Sequence, residues 1–250
     1  MRESWISEIK NSKIWKGKIS VIFVTACSPF QKKGEICYAL REEYKTYPDM
    51  LIFNLEDSYR MFSVKVLNFI KYVITKTEKH WDRFTQTLQP KPIIIKLTDD
   101  TVVFASNLIR LIQILANSPN DLRIAGQTVP KNYHTMIRDP THRHYVPEYI
   151  YGNSKIGVSY AAGVCYLISY PAAKMIFDYA KCLTAILFQD DLMVTGLLRE
   201  KLSIPLLHTD DIEHRGNIYE KNSTAVVHGY PSFNIYEQMD IWKNAEKIPL

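Results

Sequence analysis

Long apolar runs are missing from this 250-residue chain. Stretches such as Val21–Val24 and Ile93–Ile95 fall far below the roughly 18 to 20 residues that span a bilayer, so the chain as given carries no membrane anchor. Met1–Lys10 also lacks the basic, apolar and small-residue order of a signal peptide. Glycine is scarce, at 9 residues, and neither GxGxxG nor GxxxxGK[ST] occurs, which disfavours a dinucleotide fingerprint and a P-loop. A GxSxG elbow is absent as well, which weakens a serine-hydrolase reading. The four cysteines, Cys27, Cys37, Cys165 and Cys182, form no CxxC and no Cys/His metal spacing. They allow three fully paired connectivities and leave the compartment open. No Lys/Arg block stands behind the net charge of +5, so a nucleic-acid footprint is not indicated. The mildly basic balance suits an anionic small ligand.

What is present can build a core. Hydrophobic residues make up 46% of the chain and aromatic residues 12%, which excludes intrinsic disorder and low complexity. Lys18–Thr25 is β-branched and aromatic and ends at Ala26-Cys27-Ser28-Pro29, predicting a buried strand that enters a loop. Gly34–Tyr47 reads as helix. Leu51–Asn54 reads as a second strand leading into Glu56-Asp57, and Ser63–Thr77 as a helix with Val66, Phe69, Ile70, Val73 and Ile74 on one face. Two strand–helix units in succession argue for α/β.

Pro92–Lys96 is the third expected strand, followed by Thr98-Asp99-Asp100 and a helix that buries Leu108, Leu111, Ile112 and Leu115. Ligands of open α/β sheets bind beyond the carboxyl ends of strands, so Asp99 and Asp100 stand where chemistry is expected. Asn117–Asn153 is rich in Pro, Tyr and His and reads as irregular loops over that edge. Val158–Ile168 mixes small residues with β-branched and aromatic ones. Pro171 then opens a helix over Ala172–Tyr179, and Asp190-Asp191 precede another over Leu192–Lys201. No repeat or Gly/Ser-rich linker divides residues 1–250, which read as a single domain.

Carboxylates at a strand end suit a hard divalent cation that also bridges substrate phosphates. Asp pairs also start turns. At a helix N-terminus the macrodipole alone stabilises them, by roughly 0.3 to 1 kcal/mol. Neither Asp99-Asp100 nor Asp190-Asp191 is specific in isolation.

Taken in order, the segments resemble the β-1,3-galactosyltransferase or hexosyltransferase family, glycosyltransferase family 31. Arg2-Glu3-Ser4-Trp5 resembles the end of an opening Arg-x-Thr-Trp motif. Leu51–Lys65 is similar to a block in which Asp57, Ser58, Tyr59 and Lys65 keep their order. Lys96-Leu97-Thr98-Asp99-Asp100 resembles Lys-x-Asp-Asp-Asp, with Thr98 replacing the first Asp. Tyr160, Gly163, Tyr166 and Ser169 match the family's "Y-x-S-G-x-G-Y-V-x-S". Asp190-Asp191-Leu192 with Gly196 is similar to Glu-Asp-Val-x-x-Gly carrying one extra residue. Val226-Val227-His228, with Glu237-Gln238-Met239 and Ile241-Trp242, resembles the closing motif.

The resemblance implies a GT-A type α/β nucleotide-sugar-binding domain with a mixed central sheet flanked by helices. It also implies an inverting transfer of galactose, or an N-acetylhexosamine, from a UDP-sugar to a glycan in β-1,3 linkage. The partners are then a UDP-hexose and a glycan on a glycoprotein or glycolipid. In these terms Asp191 is the base and Asp190 orients acceptor or sugar. Asp100 and His228 hold Mn²⁺. Arg2, Lys96, Thr98 and Asp99 serve the donor nucleotide, and Tyr160 and Gly163 shape the acceptor and sugar pocket. The other histidines, including His142, His144, His208 and His214, match no motif and read as loop residues. A Golgi-lumenal location follows from the family alone, its N-terminal anchor being absent here, and the match beginning inside the opening motif implies that Met1 starts a truncated chain. Asn222-Ser223-Thr224 is a glycosylation acceptor if the chain is secretory. Thr98 and the absent anchor motivate a competing expectation, an inactive family member that binds glycan or a partner.

Overall fold

The computed structural model describes residues 2–28, 34–84, 91–117, 121–131, 133, 135–152, 157–214 and 225–228. Asn222-Ser223-Thr224, Glu237-Gln238-Met239 and Ile241-Trp242 lie outside them. The order is α1 (Trp5–Asn11), β1 (Phe23–Ala26), α2 (Gly34–Thr46), β2 (Met50–Phe53), α3 (Phe62–Phe84), β3 (Ile94–Leu97), β4 (Thr101–Val103) and α4 (Leu108–Ala116). Then come β5 (Ile124–Val129), α5 (Glu148–Tyr151), β6 (Tyr160–Ile168), α6 (Tyr170–Ala180), a π-helical segment Asp191–Leu198 and α7 (Arg199–Lys201). β7 (Leu206–His208), β8 (Ile212–His214) and β9 (Val226–His228) complete the described chain.

Strand order is β3-β6-β5-β7 in one sheet and β4-β9-β8 in another, with β1 and β2 paired in parallel. β6 pairs antiparallel with β3 and β5, whereas β5 pairs parallel with β7, so the larger sheet is mixed. Its pleat divides the core. Tyr166 and Ile168 face a cluster with Leu67, Ile70 and Ile74 of α3 and Ile176 of α6. Leu167 and Cys165 join Ile6 and Ile9 of α1 and Leu111 and Leu115 of α4 on the other side. Helices therefore cover both faces of the sheet, as the alternation of strands and helices predicts. Each fully buried Leu or Ile in these layers contributes about 1.5–3 kcal/mol. Among the described residues no helix is long and apolar enough to cross a membrane.

Three local expectations need correction. The first strand starts at Phe23 rather than Lys18, because its partner β2 begins at Met50, opposite Phe23. The segment 117–153 is not wholly irregular, since it contains α5 and the six-residue β5 inside the mixed sheet. Gly126 and Gln127 disguise β5 as a turn. A Cβ built on Gly126 would lie 2.6 Å from that of Ala161, so only glycine allows the strands to approach there. Among the histidines read as loop residues, His208 and His214 end strands β7 and β8.

Cys27 and Cys37 form a disulfide with Cα atoms 5.6 Å apart, tying the end of β1 to α2. Cys165 is a buried free thiol pushed up to about 12, chiefly by burial, and Cys182 is an exposed one.

Candidate active site

The chain leaves one sheet and enters the other between β3 and β4, at Thr98-Asp99-Asp100. The Thr101 hydroxyl donates to the Thr98 carbonyl at 2.6 Å and closes this turn. Asp99 is exposed and Asp100 half-buried. β4 pairs antiparallel with β9 so that Thr101 stands opposite His228, which places Asp100 and His228 at one end of that strand pair.

Beside this turn, β6 bulges. A two-residue step on β5, from Gly126 to Thr128, is matched by a five-residue step on β6, from Tyr166 to Ala161. Such bulges re-aim side chains and recur next to active sites. The Val164 carbonyl accepts the Thr98 amide at 3.1 Å, carrying the β3–β6 contact one residue past β3. Lys96 donates to the carbonyl of Gly163. Gly163 opens a space that the Asp191 carboxylate fills, since a Cβ there would come within 3.0 Å of Asp191 Oδ2.

Asp191 begins the π-helical segment and Asp190 immediately precedes it. π-Helical turns are uncommon and concentrate at functional sites. Thr195 anchors this one to β6: its hydroxyl donates to the Asp191 carbonyl at 2.6 Å and accepts from the Ala161 amide at 2.9 Å. The two carboxylates receive opposite treatment. Asp190 is buried, accepts a 2.9 Å hydrogen bond from the Tyr166 hydroxyl, and pairs with Lys96 at 3.2 Å. Asp191 accepts the Leu192 amide at 2.7 Å, yet burial and then the neighbouring Asp190 charge push its carboxyl up to about 6. A carboxylate tuned that way can accept a proton near neutral pH. Burial, and then the charge of Asp191, also raise the Tyr160 phenol, which therefore stays protonated.

A cavity of about 860 Å³ gathers Lys96, Thr98, Tyr160, Gly163, Asp190 and Asp191 in its walls. That size lies within the range of small-molecule sites. Arg2 is not among the lining residues. Its guanidinium pairs with Glu43 at 2.6 Å and Asp49 at 3.0 Å, and lies over the rings of Phe23 and Tyr47.

The cavity also has walls to which the sequence reading gave no role. Tyr59 packs against Phe62 and Phe188 with ring centroids 5.3 and 5.4 Å away, and the Arg143 guanidinium sits 5.3 Å from the Tyr59 ring centre. His144 Nδ1 lies 3.5 Å from both the Tyr59 hydroxyl and Gln189 Nε2. Burial, then Arg143 and His142, lower the His144 pKa, favouring neutral imidazole. His208 lines the cavity too, bonded to the Thr128 amide and to Asp210. These histidines are distant in sequence from every motif, and only the long loop and β7 bring them to the site.

Comparison with known proteins gives a consistent picture. A family model described as Galactosyltransferase matches residues 1–210. The chain is 22% identical to "Beta-1,3-galactosyltransferase bre-2" of Caenorhabditis elegans, over 82% of this chain and 53% of that protein. It is also 22% identical to "UDP-GlcNAc:betaGal beta-1,3-N-acetylglucosaminyltransferase 7" of Mus musculus, over 82% and 47% of the respective chains. Against "N-acetyllactosaminide beta-1,3-N-acetylglucosaminyltransferase 2" of Mus musculus the identity is 25%, over 98% and 58%. The chain spans about half the length of the curated relatives it matches.

Proposed function

This chain belongs to the galactosyltransferase family, and on that premise we propose that it transfers a hexose from a UDP-sugar to a glycan hydroxyl in β-1,3 linkage. Galactose or an N-acetylhexosamine is the donor sugar, and the acceptor is carried on a glycoprotein or glycolipid. The GT-A type α/β fold is in keeping with a nucleotide-sugar donor. One observation carries the reading: Asp191, raised to about 6, stands in the wall of a cavity large enough for substrate, beside a second carboxylate held by Lys96 and Tyr166.

In the reaction the acceptor hydroxyl attacks the anomeric carbon from the face opposite UDP. Asp191 takes the hydroxyl proton as the new C–O bond forms, the bond to UDP breaks, and the anomeric configuration inverts. Asp190 holds the charge environment of that base, while Tyr160 and Gly163 bound the space beside it. Thr98 serves the donor side from the β3–β4 turn, along with Asp99.

A divalent cation, Mn²⁺, belongs to this proposal. Asp100 and His228 would hold it; the register of β4 and β9 supports the pairing, and a carboxylate oxygen with an imidazole nitrogen suits that ion. When bound, such a cation supplies Lewis-acid stabilisation of the charge that develops on UDP. The Cys27–Cys37 disulfide favours an oxidising compartment, in keeping with a Golgi-lumenal location.

The experiment is UDP release from each UDP-hexose, with and without a panel of β-linked glycan acceptors. Acceptor-dependent release with a β-1,3 product is expected. Tight UDP or glycan binding without turnover of any donor would instead make the chain an inactive family member that binds glycan or a partner.

A further inference from the structure

Lys96 on β3 and Tyr166 on β6 are partners in the antiparallel register, so their side chains share one face of the sheet. The Lys96 ammonium lies 5.5 Å from the Tyr166 ring centre. It donates to the Gly163 carbonyl and pairs at 3.2 Å with Asp190 Oδ2. That same oxygen accepts the Tyr166 hydroxyl at 2.9 Å. One oxygen of the carboxylate that precedes the π-helical segment is thus gripped by two adjacent strands.

We propose that Lys96 is a positioning residue for the carboxylate pair: it ties the β6 bulge to Asp190, and through Asp190 it seats Asp191 for the acceptor's proton. The proposal rests on the transferase reading above, and it moves Lys96 from the donor phosphates to the base.

An ammonium has three N–H donors and no acceptor. Two are committed to Gly163 and Asp190, and both the Lys96 and Asp190 side chains are nearly buried, at 14% and 10% exposure. Breaking a buried pair leaves an uncompensated charge, so loss of the ammonium releases Asp190 rather than leaving it in place. Gly163 is the residue that makes room for Asp191, so the same cation fixes both the floor and the neighbour of the base. Among the described residues, the ionisable groups interacting with the pair include Lys96 from β3 and Tyr160 and Tyr166 from β6. Lys96 favours the ionised pair by its charge, and Tyr166 adds to this the hydrogen bond that it donates to Asp190. Removal of Lys96 raises the pH at which the pair binds its first proton, an event that belongs to both carboxylates together.

The test compares the full chain with Lys96→Met, Lys96→Arg and Tyr166→Phe. Lys96→Met should lower kcat at saturating donor by at least ten-fold, move the acid limb of kcat/KM to higher pH, and change UDP affinity by less than about two-fold. Lys96→Arg should recover part of the kcat, because charge returns without the compact ammonium geometry. Tyr166→Phe, which leaves the charge untouched, should move kcat in the same direction by less, and it stands in if Lys96→Met does not fold. Carboxyl NMR titration of the resting protein should show the pair titrating at higher pH in Lys96→Met. Ten-fold weaker UDP binding, with kcat and the carboxyl titration unchanged, would overturn the proposal and return Lys96 to the phosphates. If the wild-type chain turns over no UDP-sugar the transferase reading fails, whereas the NMR titration still decides the role of Lys96.

Discussion

Gly163 and Asp191 compete for the same space: a Cβ on the glycine would stand 3.0 Å from Oδ2 and 3.3 Å from Cγ of the carboxylate. Gly163→Ala should therefore push the base out of line, and a displacement of about 1 Å costs on the order of 10²-fold in rate. The expected result is a kcat reduced ten- to hundred-fold at nearly unchanged UDP affinity, read by steady-state kinetics and calorimetry. An alanine variant with full kcat would show that Asp191 does not need its present position.

Asp191→Asn should lower turnover by roughly 10² to 10⁴, the contribution of a general base, while leaving UDP binding nearly intact. The same variant should be the more stable protein at pH 8. In the fold the Asp191 carboxyl is raised to about 6 from an ordinary 3.8, so the folded state binds its proton more tightly than the unfolded state. Ionisation therefore destabilises the fold fully above pH 6, and that cost fades as pH falls from 6 toward 4. Melting curves should show a higher Tm for Asp191→Asn at pH 8 and little difference at pH 4.

Asp190 is the largest neighbouring charge opposing ionisation of Asp191. In the wild type, kcat/KM should fall on the acid side with a midpoint near 6. Asp190→Asn should reduce kcat and move that midpoint to lower pH, opposite in direction to Lys96→Met. An acid limb that stays put would mean that burial alone sets it.

Asp100→Ala should weaken UDP binding in the presence of Mn²⁺ and abolish its sensitivity to chelator, as should His228→Ala. Calorimetry with and without the ion checks this. UDP affinity indifferent to chelator, or to both substitutions, would remove the metal from the proposal.

Thr98 replaces an acid that resemblance to the family leads one to expect. A neutral hydrogen bond contributes about 0.5 to 1.5 kcal/mol and one to a charged group about 1.5 to 3, so the replacement should weaken donor binding by roughly 1 to 2 kcal/mol. Thr98→Asp should then lower the donor KM by about five- to thirty-fold with the ion requirement kept. A donor KM that is unchanged or raised would mean that the motif is misaligned here.

The helical face of Val66, Phe69, Ile70, Val73 and Ile74 was legible because a 3.6-residue period survives translation into burial, with Ile70 and Ile74 fully enclosed. Asp190 and Asp191 were legible as a pair, and the π-helical segment begins on the second of them. The contacts that hold Asp190 were not, because they depend on Lys96 facing Tyr166 across a ladder whose register no local pattern encodes. Strand β5 was hidden for a different reason: close approach to Ala161 demands a glycine where strand propensity would place a larger residue. His144 and His208 carried no local signal at all, since loop closure and a parallel strand pair set their positions.

β9 is the middle strand of β4-β9-β8, yet it comes last of the three in the chain. Until Val226–His228 has been synthesised, β4 and β8 each present an unpaired edge, the kind of surface that recruits foreign strands. Completion of that sheet and arrival of His228 beside the Asp100 turn are thus a single event in the biogenesis of this protein. A chain ending before residue 226 is expected to leave the edges of β4 and β8 that face β9 without their partner.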